Sequence, residues 1–586
     1  MEMTTPLPPR RGKKSRWGPF VLGALTVFLL FVFAMAAVYY LFFMENTERV
    51  QPGFNGVDKP VWIGGEITGS ASGTGVSLSL SFDWVREHLD PYIVYDEKSA
   101  SVIITTEDKV VQFPTEQLTG LINGRPVELR FPVTESEGVV HIPVEPLKEL
   151  YGIRVEEAAE TGAVFVYRPG EIVQRAVVRG VGDERVPMRT GPSIKEPIAA
   201  DLLPGTEVRV LDDPEGASQW LLIQTEAGYT GFVKKERTQL LPAETVSAPA
   251  PQKTRVPWKP LGGKIQLTWE HVVSKNPNPS AIPDMPGLNV ISPTWFSLQE
   301  DDDGNLYVGN MADPAYVDWA HRRGYQVWAL FSNSFDPDLT AKALADYETR
   351  AALIGQIVHF VRLYDLDGIN IDFENVYLKE KDPLTQFVRE MVPLLHELDA
   401  VVSMDVTIRG GSEMWSLFLD REELGKVLDY MIVMTYDEHW ASSPVAGSVA
   451  SLPWVEKGIT DIMREDKVPA SKLVLGVPFY TYMWTETTEN GKTKVSSRAR
   501  SMQAVQDWIA EKGLTPVFLP EVGQHYVEHV EDERTKIKVW IEDATSMRAR
   551  AELVRKYDLA GIASWRRGFE TPDIWNVIAD TLAKRP

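Results

Sequence analysis

Between residues 261 and 586, eight short runs rich in apolar, β-branched and aromatic residues recur, and amphipathic helical stretches such as Tyr347 to Leu363 separate most of them. The runs are Ile265-Gln-Leu-Thr-Trp, Val290-Ile-Ser-Pro-Thr-Trp, Gln326-Val-Trp-Ala-Leu-Phe, Gly368-Ile-Asn-Ile-Asp-Phe, Val402-Ser-Met-Asp-Val-Thr, Tyr430-Met-Ile-Val-Met-Thr-Tyr, Leu473-Val-Leu-Gly-Val-Pro and Gly561-Ile-Ala-Ser-Trp. Strands that alternate with helices build a parallel sheet, and eight such units fit a (β/α)8 TIM barrel. The long gap between the seventh and eighth runs reads as a small, hairpin-rich α+β insertion.

With 586 residues the chain is too long for one hydrophobic core, so several domains are expected. Its net charge of -22 repels phosphate backbones and argues against nucleic acid as a partner. There is no cysteine, which excludes disulfides, thiolate metal sites and cysteine nucleophiles. Arg10, Arg11, Lys13, Lys14 and Arg16 precede an uncharged stretch from Trp17 to Met44, long enough to cross a bilayer as a helix. Basic residues before it and Glu45 and Glu48 after it predict a single-pass anchor at 17–44. Its tail, 1–16, is then cytoplasmic and the rest of the chain extracellular. The alternative is a cleaved signal peptide, with Ala34-Met-Ala36 as the cleavage site.

Residues 60–170 read as strands with two short helices and carry an internal repeat. Val85-Arg-Glu-His-Leu-Asp leads into a strand ending Val102-Ile-Ile, and Leu147-Lys-Glu-Leu-Tyr-Gly leads into Val164-Phe-Val. This α+β pattern resembles the N-terminal domain of some copper amine oxidases and of bacterial wall proteins. It implies no copper, since no histidine cluster is present. Residues 172–241 hold short strands between turns such as Arg189-Thr-Gly-Pro-Ser and Pro204-Gly-Thr, and resemble a bacterial SH3 domain through Trp220 and the Gly228 to Val233 strand. Pro242, Pro249, Pro251, Pro257 and Pro260 mark 242–260 as a semi-extended linker to the barrel at 261–586.

The segment with chemical content is Asp367-Gly-Ile-Asn-Ile-Asp-Phe-Glu374. Side chains alternate along a strand, so Ile369, Ile371 and Phe373 share the face toward the helices. Gly368, Asn370, Asp372 and Glu374 share the face toward the barrel axis. Buried polar groups are costly unless they meet water, one another or a substrate. Barrel active sites lie at the C-terminal strand ends, where Glu374 falls. A calcium loop is the competing reading, but the Asp365-Leu-Asp367-Gly order puts glycine too early for an EF-hand.

Asp-Gly-x-Asn-x-Asp-x-Glu resembles the signature of family 18 glycoside hydrolases, chitinases and spore-cortex N-acetylglucosaminidases among them. Met434-Thr-Tyr436-Asp437 resembles the family's sixth-strand motif, Gly476-Val-Pro-Phe-Tyr480 its seventh-strand motif, and Trp565 the eighth-strand tryptophan beneath the sugar. The departure is Asn370, where most chitinases carry aspartate. An asparagine there is expected to donate a hydrogen bond to Asp372 without sharing its proton, leaving Asp372 ionised over a wider pH range. The resemblance implies substrate-assisted retention. Glu374 serves as acid and then base, Asp372 orients the acetamido N–H, and Tyr436 bonds the acetamido oxygen. Asp437, Trp565, Asn370, Asp367 and Tyr480 complete the substrate site, with no metal or cofactor.

Other aromatic and histidine residues are ambivalent. His525 and His529 lie on a strand-like run, where that spacing makes no metal pair. His439 and Trp440 line the cleft or pack a loop, and Trp269, Trp295 and Trp484 are sugar platforms or core. The wall-type N-terminal modules point to peptidoglycan as the glycan partner. Chitin is the second substrate class, and a glycan-binding scaffold without catalysis is the reading from another class.

Overall fold

The computed structural model describes residues 18–212, 219–247, 255–260 and 263–583. The basic residues within 10–16, Trp17, residues 213–218, and Pro249 and Pro251 of the expected linker lie outside the described residues. Two compact units divide the chain, Met1–Trp84 with His141–Gln252 and Val85–Val140 with Lys253–Pro586. The 60–170 stretch, expected as one domain, contributes to both.

The second unit contains a closed barrel. Its strands are β1 (Ile265–Glu270), β2 (Val290–Pro293), β3 (Gln326–Ser332), β4 (Gly368–Asp372), β5 (Val401–Thr407), β6 (Tyr430–Met434), β7 (Leu473–Pro478) and β8 (Gly561–Trp565). Each pairs in parallel with the next, and β8 returns to β1 with Ile265 opposite Gly561. The period-2 pattern sorts the side chains into two cores. Ile369 and Ile371 of β4 and Phe373 just beyond it, with Val402, Met404 and Val406 of β5, pack outward against the helices. Trp328, Leu330, Val401, Tyr430 and Ile432 fill the interior. Gly368 is required by that filling: a Cβ there would lie 2.7 Å from the Val401 carbonyl oxygen and 2.8 Å from the Trp328 ring.

The helix read from Tyr347 runs Tyr347–Tyr364. The Asp346 carboxylate caps it by accepting from Thr349 N at 2.9 Å, and Asp365 ends it in the left-handed region at φ 53°. After β7 comes the expected insertion, a five-stranded sheet holding the hairpin Tyr480–Glu489/Lys492–Ser501 and strands Val517–Leu519, Gln524–Val530 and Thr535–Ile541. A second hairpin, Phe296–Glu300 with Leu306–Asn310, extends the barrel sheet after β2 and was not legible in the sequence.

Residues 94–128 of this unit form a five-stranded meander. Its Asp96 carboxylate accepts from Tyr347 N at 2.9 Å, Lys98 pairs with Asp346 at 2.8 Å, and the Arg389 guanidinium sits 3.7 Å from the Tyr92 ring centre. A cleft of about 1040 Å³ opens beside these contacts, and none of the expected site residues lines it. The C-terminal part of the expected linker is not free here: Arg255 donates to Asp429 at 2.9 Å, and Trp258 packs edge-on against Trp328.

In the first unit, the helix Gly18–Phe42 is long and apolar enough to cross a membrane. Strands at 60–63, 66–70, 154–157 and 164–167 form one sheet. Seven strands from Ile172–Val178 to Thr238–Leu240 form the SH3-like sheet, around a core that includes Val178, Met188, Leu221 and Ile223. Trp220 is buried. Glu244–Thr245 adds a short strand against Ile172–Val173.

Candidate active site

The C-terminal ends of β4, β5 and β6 carry the site. Asp372 closes β4, and Glu374 follows one residue beyond the outward-packed Phe373. Asn333, fully buried after β3, grips the Glu374 backbone from both sides: its side-chain oxygen accepts from Glu374 N at 3.0 Å, and its amide donates to Glu374 O at 2.7 Å. A second donation, to Thr340 Oγ1 at 2.9 Å, fixes the clamp. Such a clamp sets the direction of an acid catalyst better than a free loop could.

Asp405 lies on the inward face of β5, almost fully buried, beside the β4 groups. After β6, Asp437 adopts φ 63°, a left-handed conformation that aspartate tolerates, and turns its carboxylate into the mouth. The Tyr480 and Tyr482 hydroxyls both donate to its Oδ1, at 2.6 and 3.1 Å. Tyr436, one residue earlier, faces Asp405, Asp372, Glu374 and Asp437, whose charges reinforce burial in holding its hydroxyl protonated far above the ordinary range. Trp565 ends β8 half-buried, with its ring 5.9 Å from Trp269 and 5.8 Å from His271. Arg567 beyond it donates to Glu270 at 2.8 Å and ties the β1 and β8 ends together.

Four carboxyl groups in so small and dry a space cannot all ionise. Burial pushes the Asp372 carboxyl up to about 7. Burial, then the charges of Asp372 and Asp437, push Glu374 up to about 8. Burial raises Asp437 as well, against its two tyrosine donors. The groups titrate together, and the direction is the same for each: burial favours the protonated form. A clamped, protonated Glu374 can therefore donate a proton to a bound oxygen, and later recover one as base.

Asp372, Glu374, Tyr436, Asp437 and Tyr480 are thus brought together, with Trp565 at the adjoining strand end. Asp367 is not. It precedes β4, at the opposite end of the barrel, where its carboxylate accepts from Val327 N at 2.8 Å and lies 2.8 Å from His321 Nε2. Asn370 does not bond Asp372. Its amide donates sideways to Asp405 Oδ2 at 2.7 Å, because residues two apart on one strand stand roughly 6.6 Å apart while the neighbouring strand is about 4.8 Å away. The expected widening of Asp372 ionisation is likewise reversed, by burial. Trp269, Trp295 and Trp484 are core, and the Trp484 indole donates to the Gly447 carbonyl. His439 is held by the Ser448 carbonyl while Trp440 stands exposed. His525 is paired with Asp543.

Asp405 and Asn333 escaped the sequence reading. The signal for Asp405 was present as the inward set Ser403, Asp405 and Thr407 on a strand whose other face is wholly apolar.

Comparison with known proteins bears on the same elements. Residues 328–570 match the family model of glycosyl hydrolases family 18, residues 184–239 that of the bacterial SH3 domain, and residues 77–166 that of the copper amine oxidase N-terminal domain. The uncharacterized glycosylase YvbX of Bacillus subtilis (strain 168) is 25% identical over 302 residues, covering 50% of this chain and 84% of that protein. The cortical fragment-lytic enzyme of Bacillus subtilis (strain 168) is 26% identical over 255 residues, and the match spans 43% of this chain and 58% of that enzyme's own length. The solved spore cortex-lytic enzyme SleL of Bacillus cereus aligns with a TM-score of 0.49 at 17% identity, covering 58% of this chain and 77% of that one. Residues 328–570 of the barrel carry the match to glycosyl hydrolases family 18, and with the likeness to cortical fragment-lytic enzymes this supports a glycosidase that hydrolyses glycosidic bonds.

Proposed function

We propose that this glycosidase cleaves β-linked N-acetylglucosamine polymers of the bacterial wall, peptidoglycan foremost, by substrate-assisted retention. The observation that carries this reading is Glu374 clamped by Asn333 beside Asp372 and Tyr436, where burial pushes its carboxyl up. Glu374 protonates the leaving glycosidic oxygen. The substrate's acetamido oxygen attacks the anomeric carbon, and Glu374 then activates the water that opens the cyclic intermediate. Asp372, as the anion, holds the acetamido N–H and balances the positive charge that develops on the ring. Tyr436, protonated throughout, donates to the acetamido oxygen, and the Trp565 ring supports the sugar from below. Asp437 orients the mouth through its tyrosines.

Peptidoglycan is favoured over chitin by the SH3 and copper amine oxidase N-terminal modules that precede the barrel, and by the likeness to a cortical fragment-lytic enzyme. The exposed rings of Trp415 and Trp440, in the loops after β5 and β6, offer stacking surfaces for a polymer longer than the central sugar. The helix Gly18–Phe42 supplies the tether, with the catalytic unit on the outer side of the membrane.

Digestion of purified peptidoglycan and of chitooligosaccharides by the full chain in detergent, read by mass spectrometry, tests the substrate class. Muropeptide fragments with new N-acetylglucosamine or N-acetylmuramic acid reducing ends are expected, with slower cleavage of chitooligosaccharides. Cleavage of chitooligosaccharides alone would transfer the reading to chitin.

A further inference from the structure

Two carboxyl groups at the base of the site each leave a buried oxygen without a hydrogen bond among the described residues. β4 and β5 run parallel with Asn370 opposite Ser403 and Ile371 opposite Met404. Carrying that register two residues on sets Asp372 beside Asp405, both on the inward face. Neighbouring strands lie about 4.8 Å apart, so carboxyl groups in this relation are in contact range. Asp372 Oδ1 and Asp405 Oδ1 are both buried and have no hydrogen-bond partner among the described residues. The remaining oxygen of Asp405 accepts from Asn370 Nδ2 at 2.7 Å, while Asn370 Oδ1 accepts from Ser403 Oγ at 2.8 Å. That pair of bonds fixes the Asn370 amide with its nitrogen toward Asp405.

Two bare carboxylate oxygens abutting in a dry interior would each forfeit a hydrogen bond and repel the other. One proton between them removes both penalties, since a protonated carboxyl donates while its neighbour accepts. We infer that Asp405 carries a proton which it donates to Asp372, and that it is the positioning residue that holds the Asp372 carboxylate toward the substrate's acetamido group. The inference rests on the substrate-assisted reading given above. A carboxyl pair is thereby present although position 370 is asparagine, its second member coming from the neighbouring strand.

The surroundings agree. Burial is the largest influence on Asp405, and the charge of Asp372 and then that of Glu374 favour its proton further. From the other elements, Tyr436 faces it after β6. The Asn370 amide, which donates to it, and the nearby Trp269 indole of β1 act in the opposite sense. A shared proton lets the pair carry a single negative charge, which is the charge the oxazoline-like intermediate needs beside it.

The test is infrared difference spectroscopy on the full chain in detergent, in a Glu374→Gln background that removes the acid catalyst's own signal. A protonated carboxyl C=O band is expected at neutral pH, absent once Asp405→Asn is added. No difference between the two proteins would overturn the proposal. In the otherwise unaltered chain, Asp405→Ala removes the donor and should lower kcat about 100-fold at nearly constant KM. Asp405→Asn still presents an N–H to Asp372 and should lose less than about tenfold. Equal losses in the two variants, or losses in KM alone, would mean Asp405 merely packs the core. The infrared result does not depend on turnover. A chain that cleaves neither glycan yet shows the Asp405 band would sink the mechanism while leaving the shared proton in place.

Discussion

Replacing Glu374 by glutamine lowers kcat by about 10³- to 10⁴-fold with KM little changed, the upper range for a positioned acid that also serves as base. Glutamine keeps the shape and the backbone clamp by Asn333 but has no proton to give. In the unaltered chain the same group sets a pH limit. Its folded-state value is raised to about 8, so the acid is loaded below that pH and activity falls as pH rises through it. Stability follows the same sign. Between the ordinary glutamate value of about 4.5 and about 8, the native state holds a proton that the unfolded chain has released. The contribution is fully present below about 4.5 and lost as pH climbs to about 8. Glu374→Gln therefore gains stability relative to the parent across that window. Initial rates and thermal unfolding of the two proteins, each measured across pH, check both halves.

Arg350→Met destabilises the barrel by about 3–5 kcal/mol. Arg350 is nearly fully buried in the Tyr347–Tyr364 helix and meets Glu390 of the next helix in a two-pronged pair, Nε to Oε2 and Nη2 to Oε1, both 2.8 Å. It also donates to the Leu344 carbonyl at 3.0 Å. Burial raises Glu390, and Arg350 is the chief force opposing that rise. Methionine fills much of the volume but strands a buried carboxylate with the Gln386 amide as its remaining donor, at 3.0 Å. For a barrel of this size the loss corresponds to a Tm lower by roughly 10 °C. The added substitution Glu390→Leu should restore most of it, because the charge rather than the gap carries the cost. The penalty should also shrink below about pH 4.5, where the unfolded chain protonates too. Thermal unfolding of the single and double variants decides the matter, and equal losses in both would show that packing dominates.

Much of this architecture was legible because barrel strands obey a short period. Ile369, Ile371 and Phe373 turned outward as alternation demanded, and Asp372 and Glu374 came to the mouth. The same alternation already placed Asp367 on the outer face with Ile369, and motif resemblance overrode it. Position 367 caps the barrel floor instead. Asn370 shows a second limit. Neighbours along a strand are easily read from sequence, yet the amide's partner lies on another strand, which only register reveals. Asn333 was out of reach for a different reason: it sits in a loop without periodicity, and its role is a backbone grip on a residue 41 positions away. The tryptophans expected at strand ends were ambiguous by size alone, and Trp484 proved to be core of the insertion.

Attack by the substrate's own acetamido group, with Glu374 supplying the proton, fixes the stereochemistry of the first product. Proton NMR recorded during early turnover of the cleaved glycan reads the anomeric configuration of the newly released reducing end before it equilibrates. The β-anomer is expected to appear first with the unaltered chain, and no new reducing end on that timescale with Glu374→Gln. Release of the α-anomer first, or undiminished release by the glutamine variant, would contradict this mechanism.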